Sequence, residues 1–404
     1  MGTSYLALDA FVSRCGKTNR VHRLILWLAC VLPLLAAGAS AHDRGSYGGV
    51  FRSRNLGATW LNADVGLFLN AALALAPDPR DSSRLLVGTD LGILSSQNGG
   101  RSWVPEAHDA IIGAVFALAF SRDGERAVCA AASGVFHRSG ERWQRADAPE
   151  AALPARALVA GSSSDQFYLL GRSRLFASRD GGRTYALVPG LAETSVITHL
   201  VALPGSRDTL AASIDGRAMI SHDGGRTWKD TGLGGTGASV DTLAADAFLP
   251  QRIWAALAHR IVVSDDLGSA WHSAGRSLPD AGTRVRGVAA SANQMTVVVT
   301  SDRGIYRSSD SGETWTLKED NLPAHIEAGP LARDPNDPDV IYAVFSLMPY
   351  AEVWRMAIEG GNLLTRIEPI SLAGGLAFCT LLLIGGGLAV RRLARWRAAA
   401  HSRR

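Results

Sequence analysis

One short segment recurs seven times in this chain, and its even spacing constrains the fold more than any other feature. Each copy runs from a polar strand end through a turn to a tryptophan or tyrosine. The copies read SRNLGATW at 53–60, SQNGGRSW at 96–103, SRDGGRTY at 178–185, SHDGGRTW at 221–228, SDDLGSAW at 264–271 and SSDSGETW at 308–315, with a shortened copy, HRSGERW, at 137–143. The closing aromatics are Trp60, Trp103, Trp143, Tyr185, Trp228, Trp271 and Trp315, spaced 40–44 residues apart. A period of this length indicates a repeat architecture.

The residues before each copy read as strands. A strand of small apolar residues comes first, a richer apolar strand follows, and a third strand runs into the repeat. The small-residue strands are ALALAPDP at 72–79, FALAFSRD at 116–123, ARALVAG at 155–161, HLVALPG at 199–205, DTLAADA at 241–247, RGVAASA at 286–292 and GPLARDP at 329–335. Because the aromatic opens a fourth strand, each period predicts one propeller blade. A parallel β-helix has shorter coils, and a β-sandwich does not repeat in this way. We therefore expect an all-β fold, a single β-propeller of about seven four-stranded blades over residues 46–367.

The two ends of the repeat region decide how the ring closes. GVFRS at 49–53 and its repeat supply only a third and a fourth strand, whereas residues 329–346 supply a first and a second. Joined, these pieces would form one blade and remove the open edge of the ring. The alternative is an eighth, partial blade, in which EVWRM at 352–356 is the third strand.

The recurring segment resembles the Asp box of the BNR or sialidase-type repeat, S-x-D-x-G-x-T-W, over nearly all of residues 46–346. In such a hairpin the acidic or amide side chain accepts backbone N–H groups, glycine takes a positive φ, and the aromatic packs the turn down. The acidic or amide positions are Asn55, Asn98, Asp180, Asp223, Asp266 and Asp310. The resemblance implies a structural role for these residues and for the seven aromatics, on outer hairpins away from the ligand face. We predict no metal site and no cofactor.

Two terminal segments differ from the repeat. LILWLACVLPLLAA at 24–37 follows four basic residues and precedes Ala39-Ser40-Ala41, which predicts a signal peptide over 1–41; an uncleaved anchor is the alternative. Residues 370–390 form 21 positions without a charge and are followed by several arginines, which predicts a transmembrane helix with a basic cytoplasmic tail at 391–404. The propeller would then face the periplasm from a single-pass anchor in the cytoplasmic membrane.

Charge and cysteine content exclude some functions of the middle region. The formal charge of +4 is carried by the ends, because residues 1–41 contribute +3 and the tail +6, which leaves −5 for the middle. Nucleic-acid binders present a clustered positive face, so we expect no nucleic-acid partner. Cys129 is the one cysteine outside the terminal segments. No internal disulfide and no cysteine-based zinc site can therefore form there.

The loops at one end of a propeller are the expected place for a ligand. We predict that polar residues from two sets of loops line the mouth of the central channel as a funnel; the alternative for any one of them is that it only solvates a loop. Those entering the innermost strands are His108, Asp109, Arg156, His199, Asp241, Arg284, Arg286, His325 and Glu327. Those between second and third strands are Asp90, Arg172, Asp215, His259 and Asp302.

Hydrolase signatures are incomplete in this sequence. A sialidase-like enzyme needs an arginine cluster, a tyrosine nucleophile paired with glutamate, and an aspartate acid/base. GVFRSRNLG replaces the Arg-Ile-Pro segment near the first blade, and Tyr168, Tyr306 and Tyr342 fall in predicted strands. Glycoside hydrolases of the xyloglucanase type would carry two propellers in tandem, and one fits here.

The single ring of short Asp-box blades resembles the photosystem II assembly and stability factor family and, more distantly, the sortilin-type receptors. That resemblance implies a non-catalytic, membrane-anchored scaffold that binds a protein or a glycan. The alternative is a sialidase-like glycoside hydrolase that acts on a cell-surface glycan.

Overall fold

The computed structural model of the protein describes residues 48–359, apart from 65–66, 68, 70, 108, 141, 205–206, 236 and 324–325, together with Gly385 and Arg392. The predicted signal peptide at 1–41 lies outside these residues. So do the predicted transmembrane helix at 370–390 and the tail at 391–404, except for Gly385 and Arg392. Within the described residues, none of the helices combines the length and the apolar character needed to cross a bilayer.

Seven four-stranded antiparallel sheets make up the fold. In chain order the strands are β1 (Gly49–Ser53), β2 (Leu61–Asn62), β3 (Ala72–Asp78), β4 (Asp81–Thr89), β5 (Ile93–Ser96), β6 (Val104–Glu106), β7 (Val115–Phe120), β8 (Ala127–Ala131), β9 (Gly134–Ser139), β10 (Arg142–Arg145), β11 (Ala157–Ala160), β12 (Phe167–Leu170), β13 (Leu175–Ser178), β14 (Ala186–Leu187), β15 (Ile197–Ala202), β16 (Leu210–Ile214), β17 (Arg217–Ser221), β18 (Lys229–Gly234), β19 (Val240–Ala245), β20 (Ile253–Leu257), β21 (Arg260–Ser264), β22 (His272–Ser273), β23 (Val285–Ala290), β24 (Val297–Ser301), β25 (Gly304–Ser308), β26 (Thr316–Lys318), β27 (Ala328–Arg333) and β28 (Ile341–Phe345). A 3₁₀ helix, Glu150–Ala152, precedes β11, and the helix α1, Tyr350–Glu359, follows β28.

Six sheets each take four consecutive strands, and we number these blades 1 to 6 from β3–β6 to β23–β26. Blade 7 has the strand order β2-β1-β28-β27, so it joins the two ends of the repeat region. Its β1 pairs with β28 from Gly49 opposite Phe345 to Ser53 opposite Ile341. The innermost strands contact one another in the order β3, β7, β11, β15, β19, β23, β27 and back to β3, which closes the ring. The prediction of seven blades, with the chain ends sharing one of them, is confirmed.

The alternative third strand at 352–356 is wrong, because these residues belong to α1. Apolar side chains recur there at helical spacing, at Tyr350, Val353, Trp354, Ala357 and Ile358. This stripe packs on the propeller, and a strand of the same residues would have turned Val353 and Trp354 to opposite faces of a sheet. There is therefore no eighth blade among the described residues.

The core lies between the blades rather than on one side of each sheet. Second strands such as β8 and β28 are buried at every residue, because both faces of a blade pack against neighbouring blades. Innermost strands are rich in alanine, since seven of them crowd the axis of the ring. Cys129, at the centre of β8, is a buried free thiol, and burial raises its pKa.

The complete box hairpins share one hydrogen-bond pattern, which the box in blade 4 illustrates. Asp223 Oδ1 accepts the backbone N–H of Thr227 at 2.9 Å, and Oδ2 accepts the Thr227 hydroxyl at 2.7 Å. Ser221 Oγ accepts the N–H of Gly225 at 2.8 Å, and Gly225 has a φ of 90°. These bonds, with the Thr227 hydroxyl as the largest cause, lower the pKa of Asp223 to about 2. The backbone part of the pattern recurs at Asn55, Asn98, Asp180, Asp266 and Asp310.

Candidate functional site

The mouth of the ring is the end at which the innermost strands begin, opposite the box hairpins. Near this end, the pairing of the first and second strands shifts register in every blade except blade 3. Such a β-bulge leaves one residue unpaired and re-aims its side chain. In blade 3 the Arg156 N–H donates to the Leu170 carbonyl at 2.7 Å, which gives Arg156 the equivalent place. The six bulges leave unpaired Leu73, Phe116, Thr198, Asp241, Arg286 and, in blade 7, Gly329 with Pro330, and Arg156 holds the equivalent position in blade 3.

Helix α1 covers three of these positions, in blades 1, 2 and 3. Trp354 is 7% exposed and meets the ring of Phe116 edge to face, with centroids 5.0 Å apart. The Arg156 guanidinium lies over the indole, 5.4 Å from its centroid. Tyr350 donates its hydroxyl to the Arg156 carbonyl at 3.3 Å, and burial raises the pKa of that phenol. We call this part of the mouth, formed by Leu73, Phe116, Arg156 and α1, the covered sector.

The opposite side of the mouth, in blades 4 to 7, carries ionisable side chains in contact with one another. Arg286 Nη2 lies 2.6 Å from Glu327 Oε1. His199 Nε2 lies 2.9 Å from the Thr242 hydroxyl, which in turn donates to the Arg286 carbonyl at 3.3 Å. Burial and, to a lesser extent, the charge of Arg286 lower the pKa of His199 to about 4, so its imidazole is neutral at pH 7.

Asp241 interacts electrostatically with Arg286 and with a second carboxylate, Asp302. Burial raises the pKa of Asp241, and the charge of Asp302 adds to the rise, whereas the Ala258 N–H, Arg284 and Arg286 oppose it. Asp302 Oδ1 accepts the Arg284 N–H at 2.9 Å, so that carboxylate also holds the loop into β23. We call His199, Asp241, Arg284, Arg286, Asp302 and Glu327 the polar sector.

The other predicted funnel residues are placed differently. Asp215 holds its own blade together, because Oδ1 accepts the Val196 N–H at 2.8 Å. Asp109 and Arg172 are exposed, and Asp90 is half-buried with its pKa raised by that burial. These three lie in or beside blades 1 to 3, whereas the polar sector is formed by blades 4 to 7. His108 and His325 lie outside the described residues.

The polar sector has donors and acceptors with unused capacity. Arg286 Nε in this sector, and His259 Nδ1 in the loop between β20 and β21, are buried and have no hydrogen-bond partner in the described part of the chain. Buried polar atoms are normally paired, and a ligand is one source of partners. No three His, Cys, Asp or Glu side chains among the described residues are grouped to hold a metal ion. The arrangement is therefore suited to hydrogen-bonding and pairing with polar or charged ligand groups.

Sequence reasoning missed α1 and the bulges. The helix had a signal, because the apolar spacing at 350, 353, 354, 357 and 358 is that of a helix rather than a strand. The bulge positions also had a sequence signal. When the seven small-residue strands are aligned, the residue that differs in size and charge from strand to strand falls at one position of the alignment. Only the coordinates show that the helix packs over three of the residues at that position.

Comparison with known proteins supports the fold. The BNR/Asp-box repeat model matches residues 219–230. A xyloglucanase from Hypocrea jecorina (strain QM6a) is 27% identical over 222 residues, which are 52% of this chain and 26% of that protein. The chain thus spans about a quarter of the length of the curated relative it matches.

Solved structures are similar over most of the ring. YCF48 bound to a D1 peptide matches with a TM-score of 0.51 and 16% identity, over 68% of this chain and 93% of that one. YCF48 from Cyanidioschyzon merolae matches with 0.53 and 14%, over 69% and 97%. A GH74 xyloglucanase from Xanthomonas campestris matches with 0.50 and 17%, over 67% and 53%. The chain is a BNR-type β-propeller, and its structural neighbours include both a peptide-binding protein and a hydrolase.

Proposed function

We propose that this protein is a non-catalytic, membrane-anchored binding scaffold, whose propeller holds a protein or glycan ligand in the polar sector of the mouth. The observation that carries the proposal is the division of the mouth. One side is already filled by α1, whereas the other exposes Thr198 and presents Asp241 and Arg286 beside it. A ligand that enters the mouth would meet charged groups on one side and the helix on the other.

The chemistry of the polar sector fits a peptide backbone or a hydroxyl-rich glycan. Arg286 keeps donors beyond the one that pairs with Glu327, since a guanidinium carries five N–H groups. Neutral His199 and the unpaired Nδ1 of half-buried His259 add further hydrogen-bonding atoms. The similarity to YCF48, whose structure was solved with a D1 peptide, supports a peptide segment as the ligand.

Anchoring and orientation are part of the same proposal. The sequence at 1–41, 370–390 and 391–404 supports an extracytoplasmic propeller on a single-pass helix in the cytoplasmic membrane. Only residues 360–369 separate α1 from the apolar run, and ten residues reach at most about 36 Å. The propeller would then be held close to the bilayer. Deletion of 370–404 should move the protein from the membrane fraction to the soluble fraction, and retention in the membrane would contradict this part.

Site-specific photocrosslinking on the full-length protein tests the binding role. A photoreactive residue at exposed Thr198 should trap a ligand in living cells, and Arg286→Ala should reduce the trapped fraction several-fold. The matched control is exposed Lys229, in the outermost strand of the same blade and next to its box. If both positions give the same products, or if Thr198 gives none, the mouth does not bind a macromolecule.

The alternative is a glycoside hydrolase, which the similarity to xyloglucanases favours. Asp241 and Asp302 are its candidate carboxylates, because they interact electrostatically and Asp241 has a raised pKa. The purified full-length protein would then release reducing ends from xyloglucan, and Asp241→Asn would abolish the release. No turnover, together with a crosslinked ligand at Thr198, would decide for the scaffold.

A further inference from the structure

Blade 2 departs from the repeat at its outer hairpin. In the other blades, the pairing between the second and third strands begins at the box serine, as Leu210 pairs with Ser221 in blade 4. In blade 2, Ala127 lies opposite Arg138. Four residues separate Arg138 from Trp143, whereas six residues separate the serine of a complete box from its aromatic residue. Ser139 pairs directly with Arg142 across the turn. This hairpin therefore lacks both the box serine and the box aspartate.

A cavity of about 390 Å³ lies beside this shortened hairpin. Its walls come from the turn between β7 and β8, from the end of β9, and from the box of blade 3. The volume is within the range of small-molecule sites. His137 is 6% exposed and contributes to the lining, so the cavity has a largely buried polar side chain.

Three arginines line the cavity, and each has donors to spare. Arg126 makes one ion pair, from Nη2 to Asp165 at 2.9 Å. Arg138 Nε is 3.4 Å from Glu106 Oε1, an atom that already accepts the Trp143 indole N–H at 2.7 Å, and this Nε has no hydrogen-bond partner. Arg183 forms no ion pair with a carboxylate among the described residues, unlike Arg126 and Arg138.

Two carboxylates line the described part of the cavity, and one oxygen of each already accepts hydrogen bonds. Asp123 Oδ1 accepts the Ser121 hydroxyl at 2.6 Å and the Glu125 N–H at 3.1 Å. Glu125 Oε1 accepts Arg80 Nη1 at 2.6 Å. The described residues that line the cavity therefore include three arginines against two carboxylates.

We propose that this cavity between blades 2 and 3 binds an oxyanion, a sulfate, phosphate or carboxylate group of a small ligand, through Arg138, Arg183 and His137. Guanidinium groups match such anions because their N–H groups form a planar fork. Burial, and then the charge of Arg183, lower the pKa of His137, so the neutral imidazole would donate one hydrogen bond without repelling the arginines. The site is at the box end of the ring, so it is independent of the mouth.

Calorimetric titration of the full-length protein in detergent tests this site, with inorganic sulfate, inorganic phosphate and glucuronate as probes at constant ionic strength. At least one probe should bind saturably. Arg183→Gln should weaken that binding about tenfold or more, because a charge-assisted hydrogen bond is lost. Arg183→Lys keeps the charge but not the planar fork, so its affinity for the probe should lie between those of the wild type and Arg183→Gln.

Arg226→Gln is the matched control, because Arg226 holds the same position in the box of blade 4 and is equally exposed. It should leave binding within twofold of wild type. Tighter binding of sulfate or phosphate would indicate a tetrahedral anion, and tighter binding of glucuronate an acidic sugar; both support the site. Absence of saturable binding for all three probes, or an equal loss in Arg226→Gln, would overturn it.

Discussion

Removal of the Trp354 indole should detach α1 from the mouth. The indole is buried, and Trp→Ala changes at such positions cost about 3–5 kcal/mol. Within that total, the edge-to-face contact with Phe116 contributes about 0.5–1.5 kcal/mol and the cation–π contact with Arg156 about 0.5–1 kcal/mol. A ten-residue helix is not stable alone in water. A loss of about 3 kcal/mol therefore lowers the docking equilibrium by roughly 100-fold.

Hydrogen exchange on the full-length protein measures this effect. In Trp354→Ala, amides of residues 350–359 should exchange much faster, while the inner strands of blades 4 to 6 keep their protection. The control is Arg355→Ala on the exposed face of the same helix. There the ion pairs to Glu352 and Glu359 are solvent-exposed and contribute little to stability. Unchanged protection of α1 in Trp354→Ala would refute the reasoning, because the helix would then be held by contacts other than those at the mouth.

Two further predictions concern stability. Burial raises the pKa of Asp64 from 3.8 to about 6, so the folded protein is stabilised by the bound proton below about pH 4 and loses that contribution as the pH rises through 6. Asp64→Asn should therefore raise the free energy of unfolding by up to about 3 kcal/mol at pH 8 and by little at pH 4 in urea titrations; equal effects at both pH values would contradict this. Asp223→Ala should lower the free energy of unfolding by about 1–2 kcal/mol through loss of the bonds to Arg226 and Thr227, without changing crosslinking at Thr198. A change in crosslinking would mean that the box end and the mouth are coupled.

The repeat spacing was sufficient to predict the architecture, for a physical reason. Each copy of the box fixes a hairpin through bonds among its own residues, such as those of Ser221, Asp223 and Thr227. A local signal that recurs at a constant period therefore predicts seven equivalent sheets. Blade 7 was predictable because the missing strands at one end of the region match those present at the other.

The mouth was predictable only as a set of loops. Contacts such as Arg286 with Glu327 join neighbouring blades about 40 residues apart, and they depend on side-chain reach rather than on a local pattern. The position of α1 depends on one packing choice, in which Phe116 and Arg156 receive Trp354. Polarity alone therefore could not assign Asp90 and Arg172 to the blades under α1 and the rest of the set to the polar sector.

The blade shared by the two chain ends affects how the protein is made. Val50 and Phe51 are fully buried, and their partner strand ends at Phe345. At typical synthesis rates of about 5–20 residues per second, the first strand waits roughly 15–60 s for that partner. Closing a segment of this length costs about 5 kcal/mol of chain entropy. Val50 packs on blade 1, which is made next, whereas Phe51 packs on Val298 and Ile305 of blade 6. One apolar face of the earliest strand therefore has no partner until most of the ring has been synthesised.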